Sequence, residues 1–187
     1  MVEKEIKLDR PSKPFGPGLV QIFTGDGKGK TTAALGTVMR ALGHGLRVYI
    51  VFFMKGDYLY GERNILNKLP NVTTTTFGDD NFVYPKNVKP EQIGQASQAL
   101  LAARQAMLSG NYDIVILDEV IVAAAFQLVP VDDLIQLIKD KPRNVELILT
   151  GRRADPRLVQ AADLVTEMVS IKHPYDEGIP ARMGIEY

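Results

Sequence analysis

TGDGKGKTT, at residues 24–32, is the stretch from which the fold can be predicted. An apolar run at residues 19–23 precedes it, and a helical pattern follows it over residues 30–42. Backbone N–H groups at such a strand-to-helix junction point at phosphate oxygens, and the helix dipole favours negative charge there. The stretch therefore predicts a P-loop that binds a nucleotide triphosphate. Its members are the candidate nucleotide ligands: Thr24, Gly25, Asp26, Gly27, Lys28, Gly29, Lys30, Thr31 and Thr32.

The spacing of the glycines departs from the commonest P-loop pattern. That pattern has roughly four residues between its first and last glycines. Here three residues separate Gly25 from Gly29, and Thr24 stands in the usual position of the first glycine. Lys30 is placed to reach the phosphates, and the Thr31 hydroxyl is placed to ligate Mg²⁺. The alternative is a glycine-rich turn with an incidental lysine, which would not require the strand, the helix and Gly-Lys-Thr-Thr together.

Strands and helices alternate along the rest of the chain. Apolar, β-rich runs predict further strands at residues 47–54, 72–77, 114–117, 145–150 and 164–171. Apolar residues at helical spacing predict helices at residues 90–108 and 131–138, and Asp155-Pro156 predicts the start of another. This alternation predicts a single-domain α/β P-loop fold, RecA-like, in which a mostly parallel sheet is flanked by helices on both faces.

The composition restricts the classes of function. The 187 residues suffice for one domain, and Lys plus Arg equals Asp plus Glu at 22 each, so no net field attracts nucleic acid or an anionic membrane. The absence of Cys excludes a thiol nucleophile and thiolate metal sites. Because no apolar stretch approaches a membrane span and the first residues are charged, a cytoplasmic protein is expected. Residues 1–18, rich in proline, glycine and charge, are expected to form a flexible arm before a P-loop domain at 19–187.

Further polar residues stand where predicted strands end, the side of a parallel sheet at which ligands bind. Asp118 and Glu119 follow the strand at 114–117, and an acid there commonly bridges a metal opposite the phosphate loop. Because a strand alternates faces, the sequence leaves open which carboxylate reaches the metal. Arg152 follows a later strand, and Arg40 lies in the helix after the loop. Each arginine can either neutralise phosphate charge or simply face water.

The loop after residue 77 carries aromatic side chains among Gly, Asp and Asn residues. Phe82 and Tyr84 are candidates for contacting a flat apolar ligand. The alternative is that they anchor the loop to the core, and their spacing does not distinguish the two roles.

Several segments together resemble the P-loop family of cob(I)alamin (corrinoid) adenosyltransferases, over nearly everything from about Val20 to Tyr187. The segments are TGDGKGKTTAALGT from residue 24, RALGHG from residue 40, KG at 55–56 with GERN at 61–64, VILDE at 115–119, LTGR at 149–152, and the tail KHPYDEGIPARMGIEY from residue 172. The tail discriminates best, because a generic phosphate-binding protein does not need it.

What the resemblance implies is adenosyl transfer. A cobalt(I) corrinoid attacks the 5′-carbon of ATP and inorganic triphosphate leaves, in the biosynthesis or salvage of adenosylcobalamin. ATP and the reduced corrinoid are then the substrates, with Mg²⁺, or Mn²⁺ in its place, as the metal. The resemblance also implies ATP held in reverse relative to ordinary P-loop enzymes, which agrees with the displaced glycine. The resemblance further implies that the protein forms a homodimer and that a reductase supplies the cobalt(I).

The resemblance assigns roles to the candidate residues. Lys28 and Lys30 would join the loop amides in stabilising charge on the triphosphate. Arg40 and Glu119 would lie at the nucleotide.

An aromatic pair would pack beneath the corrin ring, and Phe82 and Tyr84 occupy the matching region. The family pattern there is Phe-x-Trp, whereas this chain has Phe-Val-Tyr and no Trp. The N-terminal arm would close over the corrinoid.

Two other classes compete with this interpretation. A P-loop phosphotransferase or ATPase would cleave ATP between phosphates and release ADP. A nucleotide-controlled switch would bind the nucleotide without transfer chemistry. Adenosyl transfer differs from both because it releases intact triphosphate.

Overall fold

The computed structural model describes residues 16–56, 60–78, 85 and 87–187, and these contain a six-stranded sheet. Its strands run in the order β3-β2-β4-β5-β1-β6, and every pairing is parallel. The strands are β1 Val20–Thr24, β2 Val48–Phe52, β3 Val72–Thr76, β4 Ile114–Asp118, β5 Glu146–Thr150 and β6 Leu164–Glu167.

Helices connect the strands by crossovers, as parallel pairing requires. The helices are α1 Lys30–Leu42, α2 Gly61–Leu66, α3 Pro90–Leu108, α4 Val120–Ala125, α5 Val131–Lys139 and α6 Pro156–Ala161, and a 3₁₀ turn spans Pro174–Glu177. The start of α6 follows the predicted pattern: the Asp155 carboxylate caps it by accepting from the Arg157 N–H at 2.8 Å, and Pro156 is its first residue.

Both faces of the sheet are covered, which explains why the central strands are apolar without interruption. In β4, Val115 and Leu117 pack into the core layer formed with α3, α4, α5 and α6. Ile114 and Ile116, the alternate residues of the same strand, pack into a second layer with α1 and α2. The predicted α/β class, the parallel sheet and the helices on both faces are thereby confirmed.

Two local predictions need correction. The last strand, predicted over 164–171, ends at Glu167 because its partner β1 ends at Thr24. The Met168 N–H donates to the Thr24 carbonyl oxygen at 2.8 Å, and the chain then leaves the sheet. The helices α2 and α4 were not predicted, because six residues are too few to display a helical period. Among the described residues, no helix is both long and apolar enough to cross a membrane.

Candidate nucleotide site

The P-loop connects β1 to α1 as the sequence predicts, with its lysine folded inward. Gly25 and Gly29 adopt left-handed backbone conformations, with φ of 95° and 118°. The Lys30 ammonium donates to the carbonyl oxygens of Gly25 at 2.8 Å and Gly27 at 2.7 Å. Burial and the nearby Arg152 guanidinium lower the pKa of Lys30. The loop therefore holds a largely buried cation at its centre.

The glycines of the loop also face the end of β6. A Cβ on Gly25 would stand 2.4 Å from the Met168 carbonyl oxygen, and one on Gly27 would stand 2.8 Å from that same oxygen. The Gly27 N–H donates to this oxygen at 2.7 Å. A glycine at position 25 is thus required by backbone packing, which gives a structural reason for the displaced first glycine.

Asp118 stands at the centre of a buried polar cluster at the end of β4. Its Oδ1 accepts from the hydroxyls of Thr31 at 2.8 Å and Thr150 at 2.7 Å. Its Oδ2 pairs with the Lys55 ammonium at 2.6 Å. Asp118 is 1% exposed, so its carboxylate is enclosed by these three partners.

Glu119 occupies a different position from Asp118, although the two are adjacent in sequence. Its backbone is left-handed, with φ of 64°, and its N–H donates to the Thr150 hydroxyl at 2.9 Å. This turn places Glu119 in the wall of the cavity. Burial, and then the like charge of Asp118, raise the pKa of Glu119. A cation bound beside this carboxylate would favour its ionised form and so oppose both effects.

Lys55 is a cavity residue for which the sequence predicted no role. The Lys55 ammonium lies 5.3 Å from the ring centre of Phe52 and 4.6 Å from that of Tyr60. The Arg63 guanidinium donates to the Lys55 carbonyl at 2.8 Å and the Gly56 carbonyl at 2.7 Å. The sequence signal for these residues is the Lys-Gly segment at 55–56 together with the Gly-Glu-Arg-Asn segment at 61–64. Because other residues separate the two segments, the sequence alone does not show that Arg63 holds the backbone of Lys55.

The C-terminal segment reaches the loop from the other side. The Lys28 ammonium donates to Glu186 Oε1 at 2.8 Å and to the Ile185 carbonyl at 3.1 Å. Arg182 brackets the same carboxylate, with 3.0 Å between Nη2 and Oε1. These two cations hold the pKa of Glu186 far below its usual range. Lys28, predicted to face the triphosphate, is therefore paired with a carboxylate of this chain.

A cavity of about 630 Å³ opens over the loop, and it gathers most of the predicted nucleotide residues. Arg40 lies exposed in the third turn of α1 and is not in its lining, and neither are Thr24, Gly25 and Asp26. Phe82 and Tyr84 lie outside the described residues, so their placement stays a prediction. The predicted residues in the lining are Gly27, Lys28, Gly29, Lys30, Thr31, Thr32, Glu119 and Arg152, and residues that sequence reasoning missed include Lys55, Tyr60, Glu62, His173 and the segment 184–187.

The chain is similar over most of its length to known corrinoid adenosyltransferases. The family model described as ATP:corrinoid adenosyltransferase BtuR/CobO/CobP matches residues 17–187. The chain is 34% identical over 170 residues to the corrinoid adenosyltransferase of Escherichia coli, covering 91% of this chain and 86% of that protein. It is likewise 34% identical to corrinoid adenosyltransferase CobA of Salmonella typhimurium, with the same coverage. Identity to the Pseudomonas aeruginosa corrinoid adenosyltransferase is 33%, over 91% of this chain and 84% of that protein.

Proposed function

The chain belongs to the ATP:corrinoid adenosyltransferase family, and from that premise we propose how its cavity holds the substrates. The activity is transfer of the adenosyl group of ATP to a corrinoid. We propose that the triphosphate lies on the P-loop and that the 5′-carbon faces the cavity mouth. The observation that carries this placement is the cavity of about 630 Å³, whose lining includes loop residues 27–32.

The reaction forms one bond and breaks one. The electron pair of cobalt(I) forms the cobalt–carbon bond to the 5′-carbon, and the bond from that carbon to the α-phosphate oxygen breaks. Its electrons leave with the triphosphate, and the cobalt becomes cobalt(III). Since cobalt(I) is itself a strong nucleophile, the protein needs no nucleophilic side chain. Aligning the cobalt with the carbon can lower the barrier by about 7–11 kcal/mol.

The site must also stabilise the negative charge that develops on the departing triphosphate. The loop amides and Lys30 are fixed beside the place where that charge develops, so they need little reorganisation during the reaction. Lys28 reaches the triphosphate after exchanging Glu186 for a phosphate oxygen. Arg152 adds positive charge from the end of β5. Its guanidinium lowers the pKa of Lys30, which supports a position from which both cations act on the same triphosphate.

The oxygen atoms at the loop fit a divalent cation. Thr31 supplies a hydroxyl and Glu119 a carboxylate in the cavity lining, and hard cations such as Mg²⁺ or Mn²⁺ prefer oxygen donors. We propose that these two residues hold the metal, which would supply countercharge to the triphosphate. Asp118, enclosed by Thr31, Thr150 and Lys55, orients the Thr31 hydroxyl from below.

The remaining parts of the proposal rest on family membership. Phe82 and Tyr84 pack beneath the corrin ring. Residues 1–18 close over the corrinoid. The protein is a cytoplasmic homodimer that receives cobalt(I) from a reductase, and its reaction contributes to cobalamin biosynthesis.

The test is a product analysis with ATP, Mg²⁺ and a chemically reduced corrinoid under anaerobic conditions. We expect a light-sensitive cobalt–carbon bond and one inorganic triphosphate for each bond formed. ADP and phosphate without a cobalt–carbon bond would instead identify a phosphotransferase or ATPase.

A matched pair of variants locates the reaction in the cavity. Lys30→Met should lower turnover by about 100-fold, the usual cost of one preorganised charge-stabilising group. Lys139→Met, which removes an exposed charge at the end of α5, should leave turnover unchanged. Equal effects of the two substitutions would place the chemistry elsewhere.

A further inference from the structure

The ammonium of Lys55 is a nearly buried cation in the wall of the triphosphate cavity. Its side chain is 10% exposed, and it lines the same cavity as Lys28, Lys30 and Thr31. The P-loop pattern does not include it, because it follows β2 rather than β1.

Three groups fix the Lys55 ammonium in place. Asp118 Oδ2 accepts from it at 2.6 Å. The rings of Phe52 and Tyr60 flank it at 5.3 and 4.6 Å, distances at which a cation is attracted to the face of a ring. An ammonium has three N–H donors, and Asp118 takes one of them, so the pairing is compatible with a second anionic partner.

The backbone that carries Lys55 is strained and held from several sides. Met54 has a φ of 56°, a conformation that costs free energy in a residue with a side chain. A Cβ on Gly78 would stand 2.9 Å from the Lys55 nitrogen, so the neighbouring loop presses closely on this turn. Arg63 grips the carbonyls of Lys55 and Gly56. Strain of this kind persists only where surrounding contacts impose it, and it is concentrated at functional sites.

We propose that Lys55 is a triphosphate-binding residue of this cavity, acting beside Lys28 and Lys30, and that Arg63 is its positioning residue. This inference rests on the proposed placement of the triphosphate on the P-loop. In the absence of nucleotide the ammonium is held by Asp118. With triphosphate bound, it donates also to a phosphate oxygen while the two rings and Asp118 keep its position.

A purely structural ion pair is the competing explanation, and its energetics are unfavourable. Burying a lysine and an aspartate costs most of what their attraction returns, so an apolar pair would hold the fold equally well. A cation retained at the wall of an anion-binding cavity gains a benefit that an apolar residue cannot give, because attraction to phosphate strengthens where water is excluded.

The first experiment measures binding of inorganic triphosphate with Mg²⁺ by titration calorimetry. Lys55→Met should raise the Kd by about 10- to 100-fold, the effect of losing one hydrogen bond between charged groups. Lys139→Met removes an equal charge outside the cavity lining and should change the Kd less than twofold. An unchanged Kd in folded Lys55→Met, or an equal rise in both variants, would overturn the inference.

A second comparison separates triphosphate binding from support of Asp118, and also covers the case in which Lys55→Met does not fold. In an Asp118→Asn background the negative charge of residue 118 is gone, so adding Lys55→Met leaves no buried carboxylate without its cation. If Lys55 binds triphosphate, adding Lys55→Met to this background should still raise the Kd at least tenfold. If it only pairs with Asp118, the addition should have no effect, and the inference fails.

Arg63 is tested through its dependence on Lys55. Arg63→Met should weaken triphosphate binding in the wild-type background but add nothing once Lys55 is Met, because a positioning residue acts through the group it positions. Independent, additive losses would assign Arg63 a different role.

Lys30→Met distinguishes this inference from the proposed function. If Lys30→Met weakens triphosphate binding and Lys55→Met does not, only the role of Lys55 is refuted. If neither weakens binding, the placement of triphosphate on the loop is itself wrong.

Discussion

Thr150→Val removes one buried hydroxyl that connects the two acids of the site. The Thr150 hydroxyl donates to Asp118 Oδ1 at 2.7 Å and accepts from the Glu119 N–H at 2.9 Å. The residue has no exposed surface. Valine has nearly the same shape, so the substitution removes these hydrogen bonds without opening a cavity.

The expected loss of stability follows from the two bonds. A hydrogen bond to a charged group contributes about 1.5–3 kcal/mol, and a buried N–H left without a partner costs about 1–3 kcal/mol. Asp118 keeps Thr31 and Lys55, and valine adds some apolar burial, so the net loss should be about 2–4 kcal/mol. For a chain of this size that lowers the Tm by roughly 5–15 °C.

Urea denaturation of Thr150→Val, Thr150→Ser and Thr166→Val tests this reasoning. Thr150→Ser keeps the hydroxyl and should lose only about 1 kcal/mol for its methyl group. Thr166→Val lies exposed on β6 and should stay within about 0.5 kcal/mol of wild type. A loss below about 1 kcal/mol in Thr150→Val, or a loss equal to that of Thr150→Ser, would show that the two hydrogen bonds do not stabilise the site.

Three further predictions concern the loop and its surroundings. Glu186→Gln frees Lys28, and since their ion pair is partly exposed it should tighten triphosphate binding by at most about fivefold in calorimetry; weaker binding would contradict this. Because the pKa of Glu119 is raised above 4.5 in the folded chain, metal-free protein should gain stability as the pH falls through that pKa. Urea titrations of Glu119→Gln at several pH values should lack this gain, so parallel curves would refute it. Gly25→Ala, at a φ of 95°, should destabilise by about 2 kcal/mol or more, whereas Gly36→Ala, in the exposed middle of α1, should stabilise by about 0.5–1 kcal/mol in thermal melts; similar melts for the two would count against the close packing at Gly25.

The sequence predicts the architecture well because its signals are local. The apolar run of β2 and the helical spacing of α3 each state the element type within a single segment. The glycines and lysines of the loop likewise carry their chemistry in adjacent positions. Short elements carry no such local signal, because α2 and α4 have only six residues each and show no helical period.

The parts of the site that the sequence does not reveal depend on distant contacts. Lys55 acquires its partner from β4 and its support from α2, and no spacing rule connects these segments. The different environments of Asp118 and Glu119 also depend on a single left-handed residue. Asp118 is buried at the end of β4, whereas Glu119, with φ of 64°, lies in the cavity lining. Glu186 meets Lys28 across 158 positions, and no sequence pattern reveals that these two residues form an ion pair.

The position of β1 between β5 and β6 has a consequence for protein synthesis. The phosphate loop is synthesised well before the segments that it contacts, because Gly25 and Gly27 pack against Met168 and β1 pairs with residues 147–150 and 164–167. A nascent chain therefore cannot complete the packing of the loop until β5, β6 and Met168 have been translated. Until then β1 lacks both of its neighbouring strands, so formation of the nucleotide loop has to follow the synthesis of β6.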